Sequence, residues 1–129
     1  MKIEYSARYL KDFRDIRDPK AIKATEAVEK KINIAKNIVD LYKFLDIQKY
    51  DTGLGGYRIR YGGRPEYRIR FELLDDPSNP REKIVLLQLV LTREKYQKYA
   101  HTSVNESVQS SRLRIVITES QLRLLKLLN

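Results

Sequence analysis

The segment from Tyr57 to Phe71 constrains the fold more than any other part of this sequence. Two runs, Tyr57-Arg58-Ile59-Arg60-Tyr61 and Tyr67-Arg68-Ile69-Arg70-Phe71, alternate arginine with apolar or aromatic residues. A period of two marks a strand with one wet and one buried face, and it does not suit a helix. Gly62-Gly63-Arg64-Pro65-Glu66 between the runs supplies the residues of a hairpin loop. Pairing Tyr61 with Tyr67 sets Arg60 opposite Arg68 and Arg58 opposite Arg70. Like charges placed opposite one another destabilise a sheet. Residues 57–70 hold five Arg and one Glu, a local charge of +4. Guanidinium donors match phosphate oxygens two at a time, so Arg58, Arg60, Arg64, Arg68 and Arg70 are expected to bind nucleic acid. A half-solvated sheet that spreads its arginines into water is the plainer reading of the same pattern.

The flanking sequence places this hairpin in an α+β order. Ile3 to Tyr5 suits an opening strand, and Ser6 caps a helix over residues 6–17. Asp18-Pro19 starts a second helix, carried by apolar spacing to about residue 44. The two are expected as a helical hairpin packed on a mainly antiparallel sheet. Residues 46–56 read as a loop, and the prolines at 77 and 80 forbid regular structure in the turn over 75–80. Lys83 to Leu91 is nearly all apolar, as in a central strand buried on both faces. Thr92 caps a helix bearing Tyr96 and Tyr99. The order is thus β-α-α-β-β-β-α over residues 1–100. A polar linker over 101–111 follows, then a strand-helix extension over 112–129. Thr118 and Gln121 have capping-box spacing ahead of an apolar run that should dock on the core or on a second copy.

Composition removes several classes of chemistry. With 129 residues the chain suits one domain. It has no cysteine and one histidine, so thiolate chemistry and multi-histidine metal sites are excluded. Glu4 and Arg8 interrupt any signal-like run, and the longest apolar stretch, 84–91, is too short to span a bilayer. A cytoplasmic protein with no membrane contact is expected. A net charge of +9 points to an anionic partner. Gly53-Leu54-Gly55-Gly56 lacks the lysine and helix of a phosphate loop. His101 reads as incidental, and Asp75 and Asp76 as turn residues.

The order of elements, the glycine loop running into Tyr57-Arg58-Ile59-Arg60, the Tyr67-Arg68-Ile69 strand and Leu89-Val90-Leu91-Thr92-Arg93 before a tyrosine-bearing helix together resemble the RelE/ParE toxin superfamily. The likeness covers about residues 1–100. In its RelE-like branch it implies ribosome-dependent mRNA cleavage by the RNA's own 2′-hydroxyl, with no metal or cofactor, blocked by an antitoxin protein. Arg58 and Arg60 stand where that branch carries two basic residues. Arg68 matches the arginine after the second-strand tyrosine, Arg93 the arginine closing the last core strand, and Tyr99 the helix tyrosine. The resemblance therefore implies Arg60, Arg68, Arg93 and Tyr99 as catalytic residues. The branch has lysines where this chain has Arg58 and Arg60, and arginine is a poor proton acceptor. A ParE-like or catalytically silent member, inhibiting DNA gyrase or binding a protein, is the alternative. A phage-encoded basic binding module is a third.

Overall fold

A nearly continuous apolar run needs cover on both faces, and the strand order sets that run near the middle of the sheet. A computed structural model of the protein describes residues 1–51, 55–101, 114–115 and 119–127. Its elements are β1 (Lys2–Ser6), α1 (Ala7–Arg14), α2 (Pro19–Ile34), α3 (Ile38–Phe44), β2 (Asp46–Lys49), β3 (Tyr57–Tyr61), β4 (Tyr67–Asp76) and β5 (Asn79–Thr92). They continue with α4 (Arg93–His101), β6 (Arg114–Ile115) and α5 (Glu119–Leu127). The fold is α+β. The strands form one sheet in the order β2-β3-β4-β5-β1-β6. β1 runs parallel to β5, with Ile3 opposite Val85 and Tyr5 opposite Leu87, and every other neighbouring pair is antiparallel.

Helices α1, α2 and α3 cover one face of this sheet. Tyr9, Leu10 and Phe13 of α1, Val28 and Ile32 of α2 and Leu41 of α3 pack with Ile59, Ile69, Phe71, Val85, Leu87 and Val90. Local chemistry sets the helix starts. The Ser6 hydroxyl accepts from Tyr9 N–H at 3.0 Å while donating to the Gln88 carbonyl at 2.7 Å, so it caps α1 and ties it to β5. Asp18 caps α2 with Pro19 at its first position.

Three expectations are corrected here. The helix expected over 19–44 is two, because Ala35 turns to extended backbone. Asn37 caps Asp40 N–H, and Asp40 in return accepts from Lys36 N–H. The loop expected over 46–56 begins as a strand, since β2 pairs with β3 and sets Ile47 opposite Ile59. Pro80 lies within β5 rather than in an irregular turn, at a register shift where the ladder does not require its missing N–H.

A second register shift, between Arg70 and Phe71, opposes them to Leu89 and Leu87 and makes Gln88 the extra residue of a bulge. The extension joins the same body. β6 pairs antiparallel with β1, and Leu122 and Leu125 of α5 pack against the core. Lys126 lies over the Phe13 ring at 4.3 Å and pairs with Glu29, which also accepts from Tyr9 Oη. Leu54, most of the expected linker and the capping Thr118 fall outside the described residues.

Candidate nucleic-acid interface

The hairpin takes the register its sequence implies, with Tyr61 opposite Tyr67, Arg60 opposite Arg68 and Arg58 opposite Arg70. On the helix-covered face, Tyr57 stacks on Phe71 with ring centroids 4.9 Å apart, and Tyr61 on Tyr67 at 6.0 Å. Tyr61 Oη and Thr25 Oγ1 share a hydrogen bond of 2.6 Å, and burial pushes the Tyr61 phenol well up. These rings fix the strand pair from behind. The four arginines project from the other face, and there they divide into two environments.

Arg58 and Arg70 form the inner pair. Each is more than nine-tenths buried, and neither Nε has a hydrogen-bond partner. Arg70 donates Nη2 to the Gly55 carbonyl and lies 5.4 Å from the centre of the Tyr50 ring. Gly56 has φ +87°, and a Cβ there would come within 2.7 Å of Arg70 Nη2, so glycine is what lets this loop close over the arginine. Tyr50 and Tyr96 share a hydrogen bond of 2.6 Å between hydroxyls. Burial first, and that bond second, push the Tyr96 phenol strongly up. The Arg68 guanidinium lies 5.8 Å from the Tyr96 ring centre. Tyr50, Tyr96 and the arginines thereby seat α4 on this face. The open arginine surface expected from alternation is, at Arg58 and Arg70, a covered one.

Arg60, Arg64, Arg68 and Arg93 form the outer group at the hairpin end. Arg60 is about half exposed, and its Nε donates to Asp46 Oδ2 at 2.8 Å. Asp46 is its register partner on β2, and this hydrogen bond raises the Arg60 pKa further. Arg68 is 16% exposed and donates Nε to Glu66 Oε2 at 3.0 Å; Glu66 Oε1 stands 3.8 Å from Arg60 Nε. Arg93 opens α4, its N–H bonded to the Glu66 carbonyl at 2.9 Å. A cavity of about 360 Å³ lies there, lined by Gly63 to Glu66 and Thr92 to Glu94. Tyr99, half-buried with its ring 6.2 Å from that of Tyr96, is not in that lining. It stands about 9 Å further along the axis of α4 than Arg93, at 1.5 Å per residue.

Two carboxylates were given no role in the sequence reading, although Glu66 entered its count of local charge: Asp46 and Glu66, which pair with Arg60 and Arg68. Glu66 was legible: two residues before Arg68 on an extended chain, it shares that arginine's face. Asp46 was not, because it reaches Arg60 only through β2. Among the described residues no cluster of three acidic, histidine or cysteine side chains could hold a metal, and no helix is long and apolar enough to cross a membrane. Comparison with protein-family models, with curated proteins and with solved structures finds no match to this chain.

Proposed function

We propose that the protein is a RelE-like toxin, an endoribonuclease that cleaves mRNA on the ribosome and is held inactive by an antitoxin protein. The observation that carries this reading is the gathering of four arginines at the hairpin end: Arg64 and Arg93 line one cavity, and Glu66, which lines it too, stands 3.0 Å from Arg68 and 3.8 Å from Arg60. In the proposed reaction the RNA 2′-hydroxyl attacks the neighbouring phosphorus. Charge on the phosphorane then exceeds that of the diester, and preorganised guanidiniums stabilise that increase. Arg68, braced by Glu66 and the Tyr96 ring, and Arg93, at the mouth of the cavity, serve the phosphate. Tyr99 offers a ring for a base to stack on. A ribosomal target implies a cytoplasmic site of action.

Purified ribosomes programmed with a defined mRNA test this directly. Cleavage at mapped positions, dependent on the ribosome and ending in a cyclic phosphate, is the expected result. One observation favours the second reading, a silent or ParE-like protein binder. Arg60 and Arg68 are already met by Asp46 and Glu66, and Arg58 and Arg70 are covered. Inhibition of gyrase supercoiling without cleavage would support that reading, and neither effect would leave a basic binding module.

A further inference from the structure

Among the arginines of the outer cluster stands a side chain able to take up a proton. Arginine has no lone pair for that purpose. Glu66 lies among the arginines instead. Its Oε2 accepts from Arg68 at 3.0 Å, its Oε1 is 3.8 Å from Arg60, and its carbonyl holds Arg93. It lines the cavity and is only partly buried. A carboxylate offers about four acceptor sites, so capacity remains after Arg68 is served. Two other acids are near. Asp46 pairs with Arg60 but is not in the cavity lining, and Glu94 lines the cavity but makes no ion pair among the described residues.

Resting on the ribonuclease reading, we propose that Glu66 is the proton acceptor of the cleavage step. Its carboxylate removes the proton from the 2′-hydroxyl of an RNA backbone lodged in the cavity. The 2′-oxygen then bonds to phosphorus while the bond from phosphorus to the 5′-oxygen breaks. The leaving oxygen departs with the electron pair and is protonated by water. Among the described residues, Arg60 and Arg68 engage carboxylates only through Nε, which leaves their paired Nη donors for the non-bridging oxygens.

The test is single-turnover mRNA cleavage on programmed ribosomes across the acid to alkaline range, with wild type, Glu66→Gln, Glu66→Asp and Glu94→Gln. Glu66→Gln should cut the neutral-pH rate by roughly a hundredfold or more and abolish the rise of rate with pH. Glu66→Asp should restore that rise at a lower rate, which also guards against a Gln variant that folds poorly. Sedimentation with ribosomes should be unchanged for both. An equal loss at every pH with the rise intact would make Glu66 a positioning residue for the arginines and overturn the proposal. Loss of the rise in Glu94→Gln instead would do the same. Wild-type protein that cleaves, beside a Glu66→Gln that cleaves equally, sinks the proposal and spares the ribonuclease reading. A wild-type protein that does not cleave overturns both.

Discussion

Arg58 carries a full charge into a site where its Nε finds no partner, and such a group costs stability unless something compensates it. Its expected role is therefore unlike that of Arg68. Arg58→Met should leave the unfolding free energy unchanged or higher in urea titration, and should lower cleavage less than Arg68→Ala does. Arg68→Ala and Arg93→Ala should each reduce the single-turnover rate by roughly a hundredfold or more, as when a transition-state donor is removed, with the melting temperature nearly kept in Arg93→Ala and lowered in Arg68→Ala, which loses its packing on Tyr96. Wild-type cleavage in both would refute the assignment. Gly56→Ala should destabilise the fold by roughly 1–3 kcal/mol, since alanine must hold a positive φ with Arg70 pressed against its methyl group. Tyr50 near Arg70 should then show altered fluorescence before global unfolding. Glu66 was within reach of the sequence because strand alternation alone aligns it with Arg68. The covering of Arg70 was not, because Tyr50, whose ring it meets, lies far from it along the chain.

At the scale of elements, the sheet reads well from sequence where a pattern is repeated and poorly where it is brief. β3 and β4 repeat one alternation, so their register follows from pairing the tyrosines. β2 has four residues with Ile47 as its one partly buried side chain, too little to show a period. The break between α2 and α3 hides inside continuous apolar spacing, and Asn37 with Asp40 is its one local sign. Asp12 illustrates how elements are joined. It accepts from Arg8 Nε at 3.0 Å and from Val90 N–H at 3.3 Å, linking α1 to β5. Burial raises its carboxyl pKa, against the lowering effect of Arg8. A carboxyl whose folded pKa is raised stabilises the fold below the unfolded value, near 3.8, and loses that contribution as pH climbs through the folded value. Asp12→Asn should remove this falling component. Its stability curve, measured by denaturant titration from acid toward neutral pH, should therefore lie flatter than that of wild type. An identical pH dependence would show that Asp12 does not titrate across the transition.

For the molecule as a whole, a net charge of +9 predicts that the proposed association with RNA or ribosomes behaves as an ion-exchange process. Affinity measured by sedimentation should fall steeply and linearly on a log–log plot against salt. A flat dependence would favour a protein partner. The extension belongs to the same body, since α5 covers Phe13 and Tyr5 with Lys126 and places Leu122 and Leu125 on the core. Removing residues 105–129 should lower the melting temperature and leave Glu29 with Tyr9 as its remaining described partner. An unchanged melt would show that α5 contributes nothing to the fold.

The parallel pairing of β1 with β5 also sets an order of assembly. Ser6 and Gln88, bonded across that seam, are 82 positions apart in the chain. The β3–β4–β5 meander closes through short loops, whereas seating β1 demands that nearly the whole domain be drawn together, which is entropically slow. The arginine hairpin should thus exist in the folding transition state before the N-terminal strand has docked. Substitutions at Ile59 or Ile69 should then slow refolding, while those at Ile3 should chiefly hasten unfolding, in stopped-flow chevrons. A newly made chain would carry its most basic segment already formed while the strand that completes the sheet is still free.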